Sequence, residues 1–269
     1  MLPGVAALFA VAVLLVLLAP YALTAGRWHV FYPRTALTLW FAAFFGGCAL
    51  ALGAIGLLVA AAVSTSGVGT AAGGIVLTVL AWTSLGLLGV LLSLLCVAAP
   101  PLADSHRRTV SALGPAAISR EPRRGFTLVR LRSREPIACA VSGRSAEILL
   151  STALEETLEP VQLQAVLAHE YAHLRYRHHW AVRIAELNAR CLPRHLVAGP
   201  ALQRATLRLV ELSADDTAAR QAGAAHLANA LARMATLTDD ASLELRAERL
   251  TMRRWRPARR CRVPEPIRI

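Results

Sequence analysis

The stretch Leu163-Gln-Ala-Val-Leu-Ala-His-Glu-Tyr-Ala-His-Leu174 decides how this chain folds around its chemistry. Its apolar residues Leu163, Val166, Leu167 and Leu174 recur at helical spacing, and Pro160, with Gln162 soon behind it, is a natural helix start. Inside that helix lies His169-Glu-Tyr-Ala-His173, an HExxH pattern. Four residues of α-helix turn through about 400°, so the two imidazoles stand roughly 40° apart on one face and roughly 6 Å apart along the axis. Both can reach one zinc ion. Glu170 follows the first histidine by one residue, which puts its carboxylate beside such an ion and not on it. There it can act as the catalytic base, taking a proton from a water whose pKa the ion lowers to about 7 and passing it to a leaving amine.

A third ligand must come from elsewhere. His179 lies six residues beyond His173, but Tyr176 stands where a glycine would let the chain turn back. With tyrosine the helix is expected to continue, carrying His179 about 9 Å further along the axis and off the ligand face. His178 and Glu186 fail on the same grounds, and His178 and His179 are expected to be surface or interfacial. The run Glu211-Leu-Ser-Ala-Asp215 supplies what is missing. Glu211 and Asp215 are four apart and share a helix face, and Ala214 and Ala218 are small enough to let that helix come close. Glu211 completes a two-histidine, one-glutamate site with an open fourth position. Asp215 is expected behind it, accepting from a histidine N–H and fixing the tautomer.

Around this centre the pattern is α+β and mostly helical. Three β-like runs, 126–131, 137–141 and 146–150, precede the metal helix as a small sheet, and further helices are expected at about 201–221 and 226–237. Before residue 100 the character changes. Three stretches, about 5–23, 36–63 and 75–99, contain no charged residue, and about 20 residues of helix cross the roughly 30 Å hydrocarbon core of a bilayer. A secretory leader fits the first poorly, because Met1-Leu-Pro-Gly lacks a basic segment. Arg27 and Arg34 flank the first loop, Arg107 and Arg108 follow the third span, and the loop at 64–73 is uncharged. The amino terminus is therefore expected outside and the polar domain in the cytoplasm. Gly46, Gly47, Ala51 and Gly53 permit close helix contact within the membrane.

All 29 basic residues are arginine, and residues 101–269 hold 27 of them against all 17 acidic residues, a net charge of +10. Such a balance invites nucleic acid, but the arginines are spread along the domain without a recognised motif, and an anionic lipid surface accounts for them as well. No nucleic-acid partner is expected. Cys48, Cys96, Cys139, Cys191 and Cys261 form no CxxC pair and are odd in number, which reads as reduced thiols.

The segment 137–141, Ser142-Gly143, Ile148-Leu-Leu-Ser151, the quoted helix and Glu211-Leu-Ser-Ala-Asp215 together resemble the membrane metallopeptidases of the BlaR/MecR type. The likeness to the HtpX and CAAX-prenyl endopeptidase group is more distant. The resemblance covers about 125–240 and implies a zincin-like metallopeptidase domain with one Zn2+ ion. It also implies a protein or peptide substrate, such as a transcriptional repressor or a membrane protein. Substrate backbone would pair with the edge strand at Ala138, Cys139, Ala140 and Val141. The layout expected is a membrane domain at 1–100, a linker at 101–124, the peptidase domain at 125–240 and an arginine-rich tail at 241–269. The best-known members carry an external drug-binding sensor beyond a further membrane helix; 196–202 is too short to cross, and direct drug sensing is not implied. The rival reading is a non-catalytic membrane signalling or scaffold subunit with a vestigial metal site. For an oxyanion stabiliser, His226, Arg220 and Arg233 are available, and the sequence does not choose among them.

Overall fold

The computed structural model describes residues 2–64, 71–113, 116–143, 145–192, 197–253 and 255. The expected uncharged loop at 64–73, the break at Pro193 and most of the arginine-rich terminus lie largely outside them. The chain forms two compact units, Met1–Ala103 with Arg183–Leu209, and Asp104–Val182 with Val210–Ile269.

The first unit is built on α1 (Leu2–Thr24), the short α2 (Trp28–Phe31), α3 (Pro33–Ser64) and the start of α4 (Ala71–Leu113). Two of these are long and apolar enough to cross a membrane, at Pro33–Ser64 and Gly74–Val97, and α1 contributes a shorter apolar stretch, Gly4–Leu15. Val5, Ala54, Leu58 and Ala81 join the helices in one buried cluster, while Trp82 and Leu87 stand exposed. The glycines expected to bring helices together do so only in part. A Cβ on Gly46 or Gly53 would meet open space, whereas Gly47 and Ala54 are buried. A second cluster packs Ala36 and Trp40 of α3 against Ala185, Leu202 and Leu209. Those three residues come from α7 (His178–Cys191) and α8 (Ala198–Ala218), the two helices shared between the units.

The described residues of 101–124, expected as a linker, are largely helix and strand. Helix α4 runs through Pro100 and Pro101 to Leu113, because residues 102–113 hold no glycine and several good helix formers. A strand, β1 (Ala117–Arg123), follows. The second unit then adds β2 (Phe126–Leu131), β3 (Ala138–Ser142) and β4 (Ala146–Ser151), in the order β1-β2-β4-β3. β2 and β4 are parallel, and the two outer pairings are antiparallel. Gly125, at φ +95°, makes the β1–β2 turn that an L side chain would resist. β3 is an edge strand, and Ser151 ties its start through its Oγ and backbone N–H to the N–H and carbonyl of Ile137, each at 2.9 Å.

Helix α5 (Thr152–Thr157) leads into α6 (Pro160–Arg175), whose start is fixed by Pro160 and by the Glu159 N–H donating to Gln162 Oε1 at 3.2 Å. Leu163, Val166 and Leu167 of α6 bury themselves against Leu128, Ile148 and Leu150 of the sheet. Ala165 faces the other way, into a cluster with Ala218, Leu227 and Leu250. That second layer comprises the end of α8, one π-helical turn (Ala219–Gly223), α9 (Ala224–Thr238) and α10 (Ala241–Thr251). Helix α10 lies where a tail was expected from residue 241 onward. It is an ordered amphipathic helix, capped by the Asp240 carboxylate accepting from the Ser242 N–H at 2.8 Å.

Candidate active site

With one face on the sheet, α6 turns its His169–His173 edge toward the end of α8. Nε2 of His169 and Nε2 of His173 lie 3.1 Å apart. Glu211 of α8 sets one carboxylate oxygen 3.3 Å from the first nitrogen and the other 3.4 Å from the second. These three residues form a group whose ligand atoms all lie within 4.8 Å of one another. Ligands about 2.0–2.1 Å from a tetrahedral ion stand roughly 3.3–3.4 Å from each other, the separation at which each imidazole nitrogen here meets its own Glu211 oxygen. The donor set, two imidazoles and one carboxylate, suits such an ion too.

Asp215, one helical turn beyond Glu211 and fully buried, has Oδ1 2.9 Å from Nδ1 of His169. The contact is close enough for an ion pair, although the ring N–H is not aimed along it. Glu170 points the other way, and its Oε2 accepts from the backbone N–H of Ala140 at 2.8 Å. Of the four residues expected to meet substrate on β3, Ala140 is thus placed against the expected catalytic base. Cys139 and Val141 pair with Leu149 and Glu147 of β4, and Ala138 with Leu150.

Burial pushes the Glu170 carboxyl above its usual range, against the pull of His169. Burial alone would lower the His169 pKa, but Asp215 and Glu211 outweigh it and hold the ring's pKa at about 10. His173, buried and beside that charge, is held near 4. Despite burial, His169 and a guanidinium from α10 draw Glu211 down to about 2. The cluster therefore keeps one positive charge between its imidazoles and carboxylates, which is where a cation would sit.

Arg246 of α10 supplies that guanidinium, and nothing in the sequence pointed to it. It donates from Nε and a terminal nitrogen to the two oxygens of Asp215 at 2.8 and 2.7 Å, and its other terminal nitrogen lies 2.9 Å from Glu211. The only available signal was the α10 pattern itself, hidden by the arginine-rich composition around it. The arginines singled out earlier are engaged elsewhere: Arg233 donates to the Thr157 carbonyl at 2.9 Å and Arg220 lies 4.0 Å from Asp216. His226 is exposed at the start of α9.

His178 is placed where sequence spacing did not put it. Helix α6 ends at Arg175 and Arg177 adopts a left-handed φ of +52°, so the helix does not run on through Tyr176. The reversal starts α7 at His178, which is buried and has Nδ1 3.2 Å from Nδ1 of His173.

No curated protein and no solved structure gives a significant match to the chain. A family model does: residues 103–192 match peptidase family M48, a stretch that includes His169, Glu170 and His173 and stops short of Glu211. The HExxH helix, the sheet beneath it and that match together show a metal-dependent hydrolase of peptide bonds whose residues 103–192 are similar to peptidase family M48.

Proposed function

We propose that the protein is an integral-membrane zinc endopeptidase that cleaves a regulatory or membrane protein at a cytoplasmic site. His169, His173 and Glu211 hold the ion, Asp215 orients His169 from behind, and Glu170 is the general base. The observation that carries this reading is the convergence of three side chains from two helices, the imidazole nitrogens 3.1 Å apart and each within 3.3 or 3.4 Å of a Glu211 oxygen. Two histidines and a glutamate leave one position of a zinc coordination sphere open, the arrangement of catalytic sites. When bound, zinc supplies Lewis acidity, polarising a carbonyl and lowering the pKa of water to about 7.

The chain's own residues do the rest. Burial raises the pKa of the Glu170 carboxyl, which favours its taking up a proton that it must later return. The outward edge of β3 offers the Ala138 main chain and the Ala140 carbonyl to an extended peptide, and the Ala140 N–H, held by Glu170, would set the scissile bond beside that carboxylate. A repressor is one substrate that such an edge could take. The apolar exposed residues of α3 and α4, such as Leu52, Trp82 and Leu87, favour a lipid partner over water for those helices. Arginines beside the spans favour a cytoplasmic domain, an outside amino terminus and several crossings.

Glu170→Gln tests the mechanism. The variant keeps its ion, because Glu170 is not a ligand, and loses cleavage of a peptide library or of casein by a factor of about 100 or more. Retained proteolysis with bound metal contradicts the assignment. A wild type that binds metal but cleaves nothing would instead favour the scaffold alternative.

A further inference from the structure

The histidine at the start of α7 has no part in the scheme above, yet it is among the most deeply buried polar residues of its unit, only 4% exposed. A buried imidazole needs a partner for each polar atom. One of its partners is the ring of His173. The two Nδ1 atoms lie 3.2 Å apart, and the rings meet edge-on at 88° with centroids 4.9 Å apart. Tyr176 stacks on the other side of His178 at 5.9 Å and 23°.

Only one of two facing Nδ1 atoms can carry the proton. Nε2 of His173 faces His169 and Glu211, so if it is to bind an ion its own proton must sit on Nδ1. An N–H at that position requires an acceptor, and Nδ1 of His178 is the atom in range. The backbone is shaped to deliver it. Arg177 takes a left-handed conformation that L residues with long side chains rarely adopt, and the turn it makes brings His178 back over His173 instead of one turn further along a continuous helix. Strain of this sort is retained where the surrounding structure over-determines it.

We infer that His178 is a positioning residue for the metal centre: its unprotonated Nδ1 accepts from Nδ1–H of His173, fixing that ring's tautomer and aiming Nε2 at the site. Asp215 lies in the corresponding place behind His169, so each imidazole has its own support. This inference rests on the assignment of His169, His173 and Glu211 as ligands.

The test compares full-length protein in detergent micelles as wild type, His178→Gln, which restores an acceptor oxygen, and His178→Phe, which keeps a ring but accepts nothing. Affinity for Co2+ is read by competition with a chromophoric chelator, and ligand geometry by the visible Co2+ absorption. The phenylalanine variant is expected to bind about 10–100-fold more weakly with a shifted absorption band, and the glutamine variant to recover most of the loss. His178→Asn and His178→Leu repeat the comparison if either first variant fails to fold, as judged by circular dichroism. Wild-type affinity and spectrum in a folded phenylalanine or leucine variant would overturn the inference, as would a glutamine variant no better than phenylalanine. Wild-type protein that binds no Co2+ would instead overturn the metal assignment itself.

Discussion

Arg246→Met offers a quantitative check on how Asp215, the carboxylate behind the proposed ligand His169, is held. Asp215 is fully buried, and Arg246 grips both of its oxygens at 2.7 and 2.8 Å from a side chain that is itself only 15% exposed. Removing Arg246 leaves the His169 ring, 2.9 Å away, as the remaining counter-charge to Asp215, so the cost falls toward the low end of the about 3–5 kcal/mol of a broken buried pair. The second contact, to Glu211 at 2.9 Å, adds little, because that carboxylate's side chain is 39% exposed and solvent screens it. For a folding unit of this size each kcal/mol shifts Tm by about 2–4 °C, so the variant should melt about 6–12 °C lower. The assay is thermal unfolding of the chelated full-length protein in detergent, followed by circular dichroism. Arg246→Lys should fall between the two, since it keeps the charge and loses the two-pronged geometry. A drop of less than about 2 °C in Arg246→Met would refute the view that α10 locks the site, whatever the cost expected for a broken buried pair.

Two further outcomes follow from the same geometry. The His169 pKa is raised to about 10, so its protonated form stabilises the metal-free protein fully below its ordinary value of 6.5, and that contribution fades as pH rises through about 10. A metal ion must displace that proton, so calorimetry in buffers of different ionisation enthalpy should show about one proton released per ion near pH 8, and release of none would contradict it. Ala140→Pro removes the N–H that Glu170 accepts while leaving the β3–β4 ladder intact, because that N–H faces away from the sheet. Losing a hydrogen bond to a charged group costs about 1.5–3 kcal/mol, so turnover should fall about 10–100-fold with metal content unchanged, and wild-type turnover would remove Ala140 from the mechanism.

Much of this arrangement was legible in the sequence, and what was not has identifiable physical causes. Helix α6 announced itself through apolar period, Pro160 and Gln162, and the four-residue spacing of Glu211 and Asp215 placed both on one face of α8. β1 escaped because Ala-Ile-Ser-Arg-Glu-Pro-Arg alternates without an apolar face. Its order comes from pairing with β2 and from ion pairs such as Arg120 with Glu147 at 2.9 Å, neither of which composition reports. The turn at Arg177 escaped because a non-glycine residue in left-handed backbone has no local signature; contacts made after folding hold it there. Arg246 escaped for a third reason. Among 29 basic residues, Arg246 is distinguished only by its place on α10, from which it reaches Asp215 of α8.

The most direct test of the central claim is elemental analysis of the purified full-length protein beside Glu211→Ala. The proposed site predicts about one equivalent of zinc in the wild type and a loss of most of it in the variant, since removal of one of its three proposed ligands leaves two imidazoles on the same helix. A variant that retains a full equivalent, or a wild type that takes up none when zinc is supplied, would contradict the account.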